Sequence, residues 1–148
     1  MTFFADLTPY RYLEDESIRD GSDYLVFTPR YELLNVGWLD PGHPYEEGPV
    51  PDDFPAALLA VVDGEPVNLT RGYHYCGICG PSTDVRGNGE IRVPARPGVM
   101  FAAPVLIGHY VTVHSYRPPD EFIAAVRDYD PGWRSEPGPW IPPDAERM

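Results

Sequence analysis

His74-Tyr75-Cys76-Gly77-Ile78-Cys79-Gly80-Pro81 holds both cysteines of the chain, and its reading decides what kind of fold to expect. Two thiolates three residues apart can grip one borderline cation such as Zn²⁺. Gly77 and Gly80 let the backbone wrap tightly around the sulfurs, and Pro81 stops the turn from running on. The same pair could instead close a small disulfide or act as a redox couple. A redox couple usually opens a helix, whereas Pro81-Ser82-Thr83-Asp84 reads as loop. A tetrahedral site needs two further ligands, and with no third cysteine they must be histidine or carboxylate.

Only four histidines are available: His43, His74, His109 and His114. His43 lies in a Pro-Gly-His-Pro turn and reads as an ordinary turn residue. His74 is two residues before Cys76, so an extended segment sends both side chains to one face. His74 then either ligates or sits behind a ligand, donating to a sulfur. His109 and His114 fall on a segment, Val105 to His114, with helical patterning. On a helical wheel with Leu106 at zero, His109 lies at ~300° and His114 at ~80°, which is ~140° apart. A straight helix would not present both to one metal. Cys76 and Cys79 are therefore the firmest expected ligands, His109 follows, and His114 or His74 is the fourth. Zinc is the expected ion because it suits mixed Cys/His tetrahedra.

Outward from this stretch, Ile91-Arg92-Val93 and Val99-Met100-Phe101 flank Pro94 to Gly98 and read as a hairpin with a loop. Pro104 stands where a helix N1 residue belongs. Upstream, Tyr24 to Phe27 and Glu32 to Leu39 are strand candidates, and Asp40-Pro41-Gly42-His43-Pro44 is a turn. Asp52-Asp53 opens a helix carrying Phe54, Leu58, Val61 and Val62, and Asp63-Gly64 ends it. Pro118-Pro119-Asp120-Glu121 starts another, carrying Phe122, Ile123 and Val126. The expected class is α+β: a small antiparallel sheet, about three helices and a zinc knuckle. Residues 1–130 form one globular domain, and residues 131–148 are a Pro/Gly-rich tail with Trp133 and Trp140 pinning it.

The charge narrows the partners. With 11 basic and 23 acidic residues the chain carries a formal net charge of -12, and every basic residue is arginine. Such a surface repels nucleic-acid phosphates and anionic membranes, so neither is an expected partner. It leaves solubility, or attraction to a basic partner, as the role of the charge. No lysine is available for Schiff-base chemistry. The apolar runs are too short to cross a membrane. The first residues show no signal peptide, so the expected location is the cytoplasm, where thiols stay reduced.

Signals for catalysis are weak. Arg71, Asn88, Glu90 and Arg92 surround the knuckle in sequence. Glu90 is the one candidate general base for a metal-bound water, and its plain alternative is a solvated hairpin residue. The zinc-deaminase pattern, the His-Glu-x-x-His pattern, the phosphate-binding glycine loop and Gly-x-Ser-x-Gly are all absent.

Several phrases together carry a resemblance. They are Asn35-Val36-Gly37-Trp38-Leu39, Thr70 to Cys79, Gly87-Asn88-Gly89-Glu90-Ile91-Arg92-Val93, and Ala103 through His109-Tyr110-Val111 to His114-Ser115-Tyr116-Arg117-Pro118-Pro119. In this order they resemble a family of small bacterial proteins of unassigned function, chiefly from actinomycetes. The resemblance covers roughly residues 33–127. It implies that His74, Cys76, Cys79, His109 and His114 are the family's recurring polar set, and it supplies no reaction. Residues 12–32 look longer than the usual start of that family. Three functions stay open: a zinc-stabilised binding or adaptor module, a zinc enzyme with an open metal position, and a metal-free acidic protein of the immunity or inhibitor type.

Overall fold

The computed structural model describes residues 3–20, 22–64, 66–69, 73–134 and 140–148. Arg71 lies outside the described residues. The chain order is β1 (Glu16–Asp20), β2 (Asp23–Phe27), β3 (Glu32–Asn35), α1 (Phe54–Val62), β4 (His74–Tyr75), β5 (Arg86–Gly87), β6 (Glu90–Arg96), β7 (Val99–Pro104), α2 (Ile107–Val113), α3 (Asp120–Arg127) and β8 (Glu146–Arg147). The class is α+β with three helices among the described residues, as the sequence indicates.

The centre is the three-stranded sheet β3-β7-β6. All six residues of β7 are buried, which suits a run of Val, Met, Phe, Ala, Ala and Pro covered on both faces. Side chains alternate along it. Phe101 and Ala103 face a core shared with Phe54 and Leu58 of α1, Ile107 and Tyr110 of α2, and Phe122 and Ile123 of α3. Met100 and Ala102 face the opposite core with Tyr10, Ile18, Phe27, Trp38, Val67 and Trp133. The sheet is mixed rather than purely antiparallel, because β3 runs parallel to β7 with Leu34 opposite Phe101. The strand expected over residues 32–39 ends at Asn35, and Gly37 at φ +79° turns the chain away.

Two prolines correct the sequence reading. Residues 94–98 are not all loop: β6 runs through Pro94 to Arg96 with a register shift between them, and the chain reverses at Gly98. A bulge on a strand that lacks a second full partner tolerates a residue without an N–H. Pro104 does not open a helix. It is the last residue of β7, paired with Glu90, and α2 begins only at Ile107.

A second sheet, β1-β2-β8, packs over the far core. Val67 bridges Ile18 of β1 and Glu90 of β6, and so ties this sheet to the central one. The C-terminal residues join it: β8 pairs with β2, and a 3₁₀ turn at Pro131–Arg134 buries Trp133.

Candidate metal centre

The knuckle is set by local geometry. β4 pairs with β5, His74 opposite Gly87 and Tyr75 opposite Arg86, closing a loop from Cys76 to Val85. The Cys76 N–H donates to the Val85 carbonyl at 2.9 Å. A single 3₁₀ turn, Gly77–Cys79, then brings the second cysteine round. Both glycines are required. A Cβ on Gly77 would meet Pro41 Cδ at 2.9 Å, and Gly80 takes φ +108°, open to glycine alone.

The histidines arrive from α2. His109 sits in its middle, and Ile107, Gly108, Tyr110 and Val111 are buried against the core. The helix stops at Val113. His114 is its C-cap at φ -105° and ψ 10°, and Ser115 turns left-handed at φ +57°. The Tyr110 carbonyl accepts from both His114 and Tyr116 N–H, each at 3.1 Å. Outside partners hold this end. The Tyr45 hydroxyl donates to the His114 carbonyl at 3.1 Å. The Tyr116 hydroxyl donates to Asp6 at 2.7 Å, and the other oxygen of Asp6 accepts from Gly37 N–H at 2.9 Å.

These two segments bring Cys76, Cys79, His109 and His114 together, one ligand atom from each within 4.8 Å of the others. Cys76 Sγ lies 3.4 Å from His114 Nε2, and Cys79 Sγ lies 3.2 Å from His109 Nε2 and 3.3 Å from His114 Nε2. The two Nε2 atoms are 3.1 Å apart. A tetrahedron with about 2.3 Å to sulfur and about 2.0–2.1 Å to nitrogen has donor–donor edges of about 3.3–3.8 Å. Four of the six separations, at 3.1–3.4 Å, are close to that size and all lie within 4.8 Å, so the four residues are close enough to bind one metal ion.

Electrostatics fit the same use. Burial pushes the Cys76 thiol up from its usual range, which disfavours a bare thiolate. A cation at the centre of the group reverses that preference. Burial first, and His114 beside it second, hold His109 below its usual value, so the ring is neutral and can coordinate near pH 7.

The other sequence candidates lie elsewhere. His74 is half-buried in β4 and outside the group of four. His43 is exposed, stacked on Phe3 at 3.9 Å and bonded to Asp40 at 2.7 Å. Glu90 is not a solvated hairpin residue. It is buried, accepts from the Tyr10 hydroxyl at 2.8 Å and pairs with Arg92 at 2.7 Å. Arg92 is 2% exposed and also binds Glu16 through Nε at 2.7 Å and Nη2 at 3.0 Å. Asn68 completes the network, donating to Glu16 at 2.9 Å and accepting from Ser17 N–H at 2.8 Å. Sequence reasoning missed this network and missed Asp6 and Tyr45 as supports of the metal-side loop.

The chain belongs to the family of DUF7919, a domain of unknown function. The match spans residues 2–127, which takes in residues 12–32. All four clustered residues, and the Glu16–Arg92–Glu90 network, fall within it. No curated protein and no solved structure matches the chain significantly. Among the described residues, no helix is long and apolar enough to cross a membrane.

Proposed function

We propose that this DUF7919 domain is a zinc-stabilised binding or adaptor module, with Zn²⁺ held by Cys76, Cys79, His109 and His114. The observation that carries the reading is the convergence of four protein donor atoms within 4.8 Å of one another. Four protein ligands close the coordination sphere, which is the mark of a structural rather than a catalytic zinc. The ion then clips the β4–β5 knuckle to the C-terminal end of α2, two segments about thirty residues apart in sequence. Zinc is preferred over iron or copper because it takes mixed thiolate and imidazole tetrahedra without a redox role. The acidic exterior is the surface that meets a basic partner.

The test is metal content by elemental mass spectrometry on untagged protein, followed by chelation. About one zinc per chain, with loss of fold on chelation, is the expected result. No metal in a folded protein with two free thiols would end the reading and leave the metal-free acidic binding protein in front.

A zinc enzyme is the second reading. It is favoured by one feature, a groove of about 520 Å³ beside Cys76 between Pro41, Tyr75 and Pro81. It requires one histidine to give way to water, and predicts that chelation removes activity while the fold persists.

A further inference from the structure

Cys76 and Cys79 are the only thiols of the chain, and the fold makes them unequal. Both are free; Cys76 is buried at 0% exposure, whereas Cys79 is exposed. The cause is local. Cys76 follows β4, belongs to the core that holds Tyr110, and is tied to Val85 through its N–H. The 3₁₀ turn Gly77–Cys79 then carries the chain outward, closed by the Gly80 N–H on the Gly77 carbonyl at 3.2 Å.

The same turn keeps the pair close. Three residues of a 3₁₀ turn rise about 6 Å and bring the side chains at its two ends to one side. A disulfide spans about 4.4–6.8 Å between Cα atoms, so this turn can hold one with little movement of the backbone. The ligand atoms of the two cysteines already lie within 4.8 Å of each other. The pair does not open a helix, so it lacks the arrangement that suits a catalyst of thiol exchange. An exposed thiolate beside a resolving cysteine is instead the arrangement of an oxidation-sensitive site.

We propose that Cys79 is an oxidation site, at which a hydroperoxide joins it to Cys76 in one disulfide and so expels the metal. Zinc release rests on the zinc reading above; the disulfide rests on the thiol pair alone. The Cys79 thiolate sulfur attacks one peroxide oxygen, the O–O bond breaks, and hydroxide leaves, which gives a sulfenic acid. The Cys76 thiolate then attacks the Cys79 sulfur, the S–O bond breaks, and a second hydroxide leaves. Each sulfur gives up one electron, the two electrons reduce the peroxide, and both hydroxides take protons from water. Thiolates, not disulfide sulfurs, bind the metal, so only His109 and His114 remain as donors. A structural zinc needs four. The β4–β5 pair is a sheet of its own, so loss of the ion frees the link between the knuckle and the end of α2. Oxidation thereby switches the surface that the metal shapes.

The experiment treats the purified, zinc-loaded full chain with one equivalent of hydrogen peroxide. A chromogenic indicator reads released zinc, and mass spectrometry reads the denatured chain. Cleavage after Arg71 and Arg86 puts both cysteines on one peptide, residues 72–86. The expected result is release of the bound zinc in step with loss of both thiols, and that peptide lighter by two hydrogens. A dithiol reductant should restore the thiols and let added zinc rebind. Dimedone present during oxidation should mark Cys79, not Cys76. Retention of zinc and both thiols, conversion to sulfinic or sulfonic acid without a disulfide, a disulfide between two chains, or dimedone on Cys76 would each overturn the proposal. A chain that holds no zinc ends the zinc reading alone. The same peptide mass then decides the thiol step: the disulfide within residues 72–86 upholds it, and two unreacted thiols overturn it.

Discussion

His109 and His114, five residues apart, meet with their Nε2 atoms 3.1 Å from each other and their rings nearly perpendicular at 80°. On an unbroken helix they would diverge by ~140°. They meet although His114 still donates its N–H to the Tyr110 carbonyl as the C-cap of α2; the chain turns away only after it, at Ser115. The convergence separates the four clustered residues from the other two histidines.

Cys79→Ser and His114→Ala should each remove metal from the purified protein, while His74→Gln should not. Elemental mass spectrometry reads the difference directly. Losing a structural zinc also lowers stability. Even ~3 kcal/mol at this chain length drops Tm by about 6–12 °C. His74→Gln should cost under about 1 kcal/mol, as ordinary substitutions outside special sites do. Metal loss in His74→Gln with retention in His114→Ala would reassign the fourth ligand.

The metal-free protein should show a two-sided pH profile. Its His109 is held below the usual 6.5, first by burial and then by His114. The unfolded ring takes a proton first, so stability falls as pH drops below about 6.5 and levels off only beneath the folded value. Cys76 is the mirror case. Burial raises its thiol above the usual 9.0, the unfolded thiol ionises first, and stability falls as pH rises past about 9. With zinc bound the thiolates are already formed, so the alkaline decline should disappear. The acid decline should steepen, because protons compete with the metal for all four donors. Thermal melts across pH, with and without zinc, test both arms.

The knuckle was legible because its signal is local: two cysteines, two required glycines and a proline within eight residues. His109 followed from the helical pattern of its segment. The choice between His114 and His74 was not legible. It depends on the long-range packing that sets the end of α2 against the knuckle, about 35 residues away in sequence, while His74 in β4 stays outside the cluster. The parallel pairing of β3 with β7 left no periodic signature either. β1 was missed for a related reason. Glu-Ser-Ile-Arg-Asp looks like solvated surface, yet Glu16 is buried because Arg92, 76 residues away, sits opposite it. Pairings at that separation are set by topology, and no window along the chain contains both partners.

That pairing makes Arg92 a costly residue to remove. Arg92→Met leaves Glu16 and Glu90 buried without a counter-charge, and breaking a buried ion network this way costs ~3–5 kcal/mol. Adding Glu90→Gln removes one stranded charge and keeps an acceptor for Tyr10. The double variant should therefore be more stable than Arg92→Met alone. Urea unfolding of the two single variants and the double gives the coupling, and simple additivity would contradict the network as described.

Gly37 links the core to the metal side, and its replacement should be felt at both. At φ +79° a side chain is strained by roughly 1–2 kcal/mol. A Cβ there would also lie 2.7 Å from Ile107 Cδ1 and 2.8 Å from Cγ1. Overpacking of this kind costs ~1–3 kcal/mol. Ile107 is the first residue of α2, so relief of the clash must move the helix that carries His109. Gly37→Ala should thus lower stability by ~2–5 kcal/mol and weaken zinc retention against a competing chelator. Ile107→Val removes the Cδ1 methyl, the atom nearest the new Cβ. In the Gly37→Ala background it should recover part of the loss, although alone it costs ~0.5–1.5 kcal/mol. A double variant no better than the sum of the two singles would mean that backbone strain alone, not contact with α2, accounts for the effect, and zinc retention should then be unchanged.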